Sequence, residues 1–315
     1  MQLCIIKFRG NGPVTDLEVR RPKFDFSDDV PWVWHPRNPA FSFFMNATSI
    51  IAICFEQMIV AAVQEAKPQM TDADVAAEAT AFLRQEAQHS SSHRKHVNAL
   101  IKRYPGLQQT FDDAMACFDT LTATKSLKFR LAYIADLEAT FTPSFKLMLD
   151  NEATLFRPGD NRVASLFLWH FVEEIEHRSS ALLIYDAVVG EHWYRIRALP
   201  GVVKHLLRVM SVIADGVNAH VPSSDRKVDA RTLLPAYGAW ENLKSRLASG
   251  AGNQPVPSAF ASVSRKEILV AAGRVLLSQT PHHKPEHEPL PRFADQWFER
   301  WKRGEDVARW YTPVG

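Results

Sequence analysis

Cysteine is scarce in this chain: three residues in 315, Cys4, Cys54 and Cys117, widely spaced and with no CxxC pair. An odd, scattered set supports neither a disulfide framework nor a thiolate zinc site. Cys54, inside an apolar run, reads as a small core residue. Excess charge of either sign is also missing, with 37 Lys and Arg against 35 Asp and Glu, so no strong field points to nucleic acid as the partner. Basic stretches interleaved with aromatics are absent apart from the terminal FERWKR. The longest apolar-rich segments carry charges, so no membrane span is expected. The opening MQLCIIKFRGNGP is too short in apolar residues for a signal-peptide core, and a cytoplasmic location follows by default. No HExxH occurs, which weakens a zincin-type protease reading.

What the chain does have is helical periodicity. Strand signals are confined to the first 30 residues, where LEVRRPKFDFS alternates in parts; VPWVWHPRNP is extended, with prolines at 31, 36 and 39 set against helix. A helix is predicted from Phe43 to about Ala66, and TDAD at 71–74 caps a long one reaching about Arg103 before YPG. Others are predicted over 108–122, over 125–150 with a kink at Pro143, from Arg162 to Val189, and over 191–221 with a break near Pro200-Gly201. Loops fall at 249–259 and 279–291, and an aromatic amphipathic helix closes the chain. The fold class is mainly α: a four-helix bundle with additional C-terminal helices and a short extended or β N-terminal segment. The chain is expected to form one domain over 1–315: an extended segment 1–40, a core 41–190, then further helices and loops 191–315.

The chemistry concentrates in WHFVEEIEHRSS. In it His170, Glu174 and His177 stand at i, i+4 and i+7, within about 60° of arc on a helix. FLRQEAQHSSSHRKHVN repeats the Glu-x-x-His spacing with Glu86 and His89, and His93 and His96 follow on the same face. Glu56 is the one charge in IIAICFEQMIV, and Glu138 sits in an otherwise apolar stripe. A lone buried carboxylate is costly and normally finds a proton or a partner. Four on four helices, in the order Glu, Glu-x-x-His, Glu, Glu-x-x-His, predict two divalent cations at the centre of a bundle. The gaps repeat too: 30 residues from Glu56 to Glu86 and 36 from Glu138 to Glu174.

This order resembles that of the ferritin-like di-iron carboxylate proteins. His-x-x-x-Glu-x-x-His at 170–177 resembles the three-histidine variant in arylamine N-oxygenases. In running text, WHFVEEIEHRSSALLIYD and RQEAQHSSSHRKHVN are similar to a bacterial family of predicted metal-dependent hydrolases, from the WVWHP region through the helix predicted from Arg162 to Val189. Carried over by position, the resemblance implies Glu56, Glu86, His89, Glu138, His170, Glu174 and His177 as ligands. His93 and His96 are read as supporting partners or surface histidines, Glu173 as a residue that orients a ligand, and Glu176 as solvated. His282, His283 and His287, in a Pro-interrupted loop, are read as exposed; Tyr133 and Tyr185 as core.

Ligand hardness favours iron, with manganese or zinc open. The leading expectation is an O2-using di-iron oxygenase or oxidase acting on an apolar or aromatic small molecule, in a pocket walled by Phe55, Met58, Phe82, Phe141, Trp169 and Phe171. No flavin fingerprint or cysteine cluster is present, so an oxygenation implies a separate electron-donor protein. The first alternative is dimetal hydrolysis; the second is a non-catalytic metal-binding helical protein. The ADQWFERWK stripe is expected to pack on the bundle or on a second subunit of a homodimer.

Overall fold

The computed structural model describes residues 17–234 and 258–312. Among them the regular structure is helical. The first long helix, α1 (Pro39–Ala66), starts four residues earlier than predicted, at a proline. Pro39 is tolerated there because the first helical N–H has no intrahelical partner to lose, and the Asn38 side chain accepts from Phe41 N. Its length and composition would suit a membrane span, yet 72% of its most apolar stretch is buried inside the protein. After a short loop, α2 (Ala73–Arg103) begins at Asp72, whose carboxylate accepts from the N–H groups of Asp74 and Val75. Then come α3 (Leu107–Thr124) and α4 (Leu127–Asp150), the latter continuous through Pro143, and a single turn, α5 (Glu152–Leu155). Asp160 caps α6 (Asn161–Glu176). Helices α1, α2, α6 and α4 pack each on the next and close a ring of four.

The predicted helix from Arg162 to Val189 is two helices, α6 and α7 (Ser180–Val188), parted at 177–179. A continuing helix would use the Ile175 carbonyl to accept from residue 179. Arg178 instead donates to that carbonyl through Nη1 at 2.7 Å, and its Nε reaches Pro285 O at 3.1 Å. The opposite correction applies to α8 (His192–His220), which runs unbroken through Pro200-Gly201. Its buried stripe of Ala198, Val202, Val209, Ile213 and Val217 packs on α3 and α4, and that burial outweighs the hydrogen bond proline removes.

Residues 17–38 form no strand; they lie extended over the bundle with Phe24, Phe26, Val30, Trp32 and Trp34 buried. Phe24 packs on Trp169 at 5.3 Å and Phe26 on His96 at 5.4 Å between ring centroids. Gly159 is required by this arrangement, since a Cβ there would lie 2.5 Å from the Trp34 ring. A single turn, α9 (Ser223–Arg226), follows α8; beyond it α10 (Arg265–Ser278) packs on α4, and α11 (Arg292–Lys302) packs on α4 and α6. The terminal aromatic stripe therefore docks on its own chain. Cys54 is a buried core residue, with burial pushing its thiol up to about 12. Tyr133 and Tyr185 are buried as well; their hydroxyls meet His205 Nδ1 and Glu191 O. His282 and His287 are exposed and His283 partly so. The segment 1–16, Cys4 and most of the 249–259 loop lie outside the described residues.

Candidate metal centre

Each helix of the ring turns one carboxylate inward: Glu56 from α1, Glu86 from α2, Glu138 from α4 and Glu174 from α6, none more than 2% exposed. Three histidines, His89, His170 and His177, enter the same volume and are buried too, none more than 3% exposed. The break after Glu176 leaves His177 as the residue that ends α6, its N–H still donating to Glu173 O. The donor atoms fall into two groups that could each hold a metal ion, Glu56 with His89, His170 and Glu174, and Glu86 with Glu174 and His177; within each, atoms lie within 4.8 Å of one another. Glu174 is common to both. Its Oε1 is 2.8 Å from His170 Nε2 and 3.3 Å from His89 Nδ1, while its Oε2 is 2.9 Å from His177 Nε2. Glu138 stands at the edge of the second group, with Oε2 3.8 Å from His177 Nε2.

All three histidines point one ring nitrogen at the carboxylates and have the other held from behind. His89 Nε2 donates to Glu173 Oε2 at 3.0 Å, and Glu173 in turn accepts from Arg20 Nη1 at 3.1 Å. His177 Nδ1 donates to Gln85 Oε1 at 2.9 Å, and Gln85 Nε2 donates to Glu176 Oε2 at 2.9 Å. His170 Nδ1 meets His93 Nε2 at 2.7 Å; His93 Nδ1 and His96 Nδ1 both meet Ser49 Oγ at 2.9 Å. Fixing the outer nitrogen sets both the orientation and the tautomer of the inner one, as the surroundings of metal-binding histidines do.

The charges do not balance with protein groups alone. Burial, followed by Glu86 and Glu174, pushes Glu56 well above the carboxylate range, and burial with Glu174 and Glu86 does the same to Glu138. Burial and Glu174 also raise Glu86. Burial alone would raise Glu174 too, but His177, His170 and His89 hold it well below the usual value. For His89, burial is outweighed by its bonds to Glu173, Glu174 and Glu86, and for His177 by Glu174, so both rise. His170 goes the other way, to about 4, through burial and the charge of His89. Glu56 Oε2, both Glu86 oxygens, Glu138 Oε1 and His89 Nδ1 have no aligned hydrogen-bond partner among the described residues. Buried oxygens left unpaired next to imidazoles fit a divalent cation, which would replace the protons they otherwise need.

Of the seven residues grouped from the sequence, six fall in the two donor groups and Glu138 stands at the edge of the second, with His93 and Glu173 directly behind two of the histidines and His96 one contact further. The sequence reading did not single out Arg20, Gln85 or Ser49. Ser49 lies seven residues before Glu56 in an apolar run, so the same helical face gave a usable signal. Arg20 had none, because the two glutamates it meets at the centre, Glu173 and Glu176, are more than 150 residues away. Glu176, read as solvated, accepts from Arg20 at 2.7 and 2.9 Å and is 21% exposed. The expected aromatic pocket is not an open one: Phe82 and Trp169 press their edges on His177 and His89, each at 4.9 Å, and Phe171 stacks on Phe145 at 3.9 Å.

Arg20 is 5% exposed and lies 4.9 Å from the Phe298 ring of α11. Replacing it with alanine strands Glu173 without its cation, a loss of about 3–5 kcal/mol for a buried pair. The expected outcome in R20A is a melting temperature lower by on the order of 10 °C, read by calorimetry, with metal affinity weakened about tenfold or more.

A family model described as predicted metal-dependent hydrolase matches residues 18–260, and the chain belongs to that family. No curated protein and no solved structure matches.

Proposed function

We propose that this member of the predicted metal-dependent hydrolase family holds two divalent cations in its helical ring and hydrolyses a small-molecule substrate there. The observation that carries the reading is the threefold repetition behind the histidines: each presents one nitrogen to buried carboxylates and has the other fixed by Glu173, Gln85 or His93. Glu56, His89, His170 and Glu174 would hold one ion; Glu86, Glu174 and His177 would hold the other, with Glu174 between them. When bound, such a pair supplies Lewis acidity for the scissile group and makes a water more acidic.

The chain's own groups would do the rest. Glu138 is the carboxylate outside both donor groups. Its Oε1, unpaired among the described residues, would take the proton of the attacking water. Arg20, Gln85 and Ser49 keep the ligand histidines from turning, and the rings of Phe82 and Trp169 keep bulk water off their edges.

A second reading is O2-dependent oxidation with two irons and a separate electron-donor protein. It is favoured by the carboxylate-rich, oxygen-hard donor set and by the Glu, Glu-x-x-His order of ferritin-like dimetal proteins. In that reading Glu138 is a ligand of the second ion. The Glu138→Gln variant separates the two. Hydrolysis predicts retained metal content with turnover of a p-nitrophenyl ester, assayed anaerobically, reduced about 100-fold or more. Loss of one ion from E138Q, with O2 consumption by the iron-loaded wild type and no ester turnover, would move the assignment to oxidation.

A further inference from the structure

Between α1 and α2 a groove of about 390 Å³ reaches one member of the cluster, Glu56. Gln57 and Val60 of α1 and Ser90, Ser91 and Arg94 of α2 line it, and Glu56 is part of its wall. Glu56 is 2% exposed, and its Oε2 has no partner among the described residues. One carboxylate thus belongs both to the groove and to the first donor group. Along α2, Ala87, Ser90, Ser91 and Arg94 form the face next to the one that carries Glu86, His89 and His93. The groove is therefore an opening past small side chains rather than a separate cavity.

Arg94 is the cation at its rim. Its guanidinium lies 4.0 Å above the Phe111 ring, and it makes no hydrogen bond or ion pair among the described residues. Four other arginines with limited exposure each have a carboxylate: Arg20 has Glu173, Arg130 has Glu65, Arg162 has Asp160 and Arg195 has Asp136. A guanidinium stacked on a ring keeps its planar fork of donors free for a bidentate anion. From His89, which shares the first donor group with Glu56, to Arg94 is five residues, about 7.5 Å along the helix axis, a span a small molecule can bridge.

We propose that this groove is the substrate channel of the metal centre, and that Arg94 binds an anionic group of the substrate, a carboxylate or a phosphate, while the reacting bond lies at Glu56. The inference rests on the dimetal reading above. It names a substrate class: small acids whose charged end is separated by a short chain from the bond that reacts. Ser90, Ser91 and Gln57 offer hydrogen bonds to a polar body, and Val60 a short apolar contact.

The test titrates hexanoate, propyl phosphate and hexanol into wild type, Arg94→Ala and Lys95→Ala. Each protein is loaded with cobalt(II), its metal content measured first, with binding followed by calorimetry and by the cobalt absorption band. Lys95 is an exposed cation next in sequence and serves as the charge control. The expected result is that at least one anion binds wild type and K95A alike, shifts the cobalt band, and binds R94A at least about tenfold more weakly, whereas hexanol does not bind. Binding by hexanoate alone assigns a carboxylate, and by propyl phosphate alone a phosphate. Equal metal content with no anion binding, or with R94A binding as wild type does, overturns the channel and leaves the metal reading standing. A wild-type chain that takes up no cobalt removes the centre and the channel with it.

Discussion

Replacing Glu174 with alanine is expected to abolish metal binding at both positions at once, from about two ions per chain to near none. The reason is geometric. Glu174 is the one carboxylate in both donor groups, and its two oxygens face different histidines, Oε1 toward His170 and His89 and Oε2 toward His177. Substituting Glu56 removes one donor of four from the first group and leaves the second intact. The metal-free E174A chain is expected to stay folded, because two effects oppose each other. Three histidines lose a charged acceptor, each such bond being worth roughly 1.5–3 kcal/mol. Glu56, Glu86 and Glu138 lose the neighbour whose charge raises their pKa values. Far-UV circular dichroism checks the fold and elemental analysis the ions. An E174A protein that keeps one tightly bound ion would show that the groups do not share this residue.

The second large effect is expected on removing the metals. An ion present at a thousandfold over its Kd stabilises the folded state by about 4 kcal/mol. Two such ions correspond to a melting temperature lower by on the order of 10–15 °C after chelation. The effect has a defined pH dependence. In the metal-free protein Glu56, Glu138, His89 and His177 are raised. The stability each contributes is present below its unfolded value and is lost as pH rises through its folded one. His93, His96 and His170 are lowered and act in the opposite direction, but only below the unfolded histidine value of about 6.5. Glu174, also lowered, titrates below that range. Above about pH 6.5 only the raised groups remain, so the metal-free protein loses stability as pH rises, while metal binding strengthens because its ligands shed protons. The melting temperatures of loaded and stripped protein should therefore diverge from pH 6.5 to 8.5. Parallel or converging curves would mean that these groups do not exchange protons for metal.

Much of the centre was legible in the sequence because helices turn spacing into direction. Glu86 and His89, or Glu174 and His177, three apart, must share a face, and a glutamate such as Glu56 in an apolar run must meet something inside. The Asp72 cap and the long α2 were readable for the same local reasons. What was not legible depended on residues far away in the chain. The break after Glu176 follows from Arg178 taking the Ile175 carbonyl while anchored on Pro285, 107 residues on. The continuity of α8 through Pro200 is decided by burial on α3 and α4, not by local propensity. Residues 17–27 read as alternating in parts, yet they find no neighbouring strand among the described residues, and 17–38 lies as a strap whose Arg20 backs Glu173. The polar character of the groove at Glu56 was hidden because Ser90, Ser91 and Arg94 sit on the neighbouring face of a helix that drew attention for its histidines.

The most direct measurement is the metal content of wild type and E174A, purified side by side without chelator and quantified for iron, manganese and zinc. The account predicts about two ions per wild-type chain and near none in the variant. A wild-type chain that carries no more metal than E174A, even after incubation with each of the three ions, would contradict it.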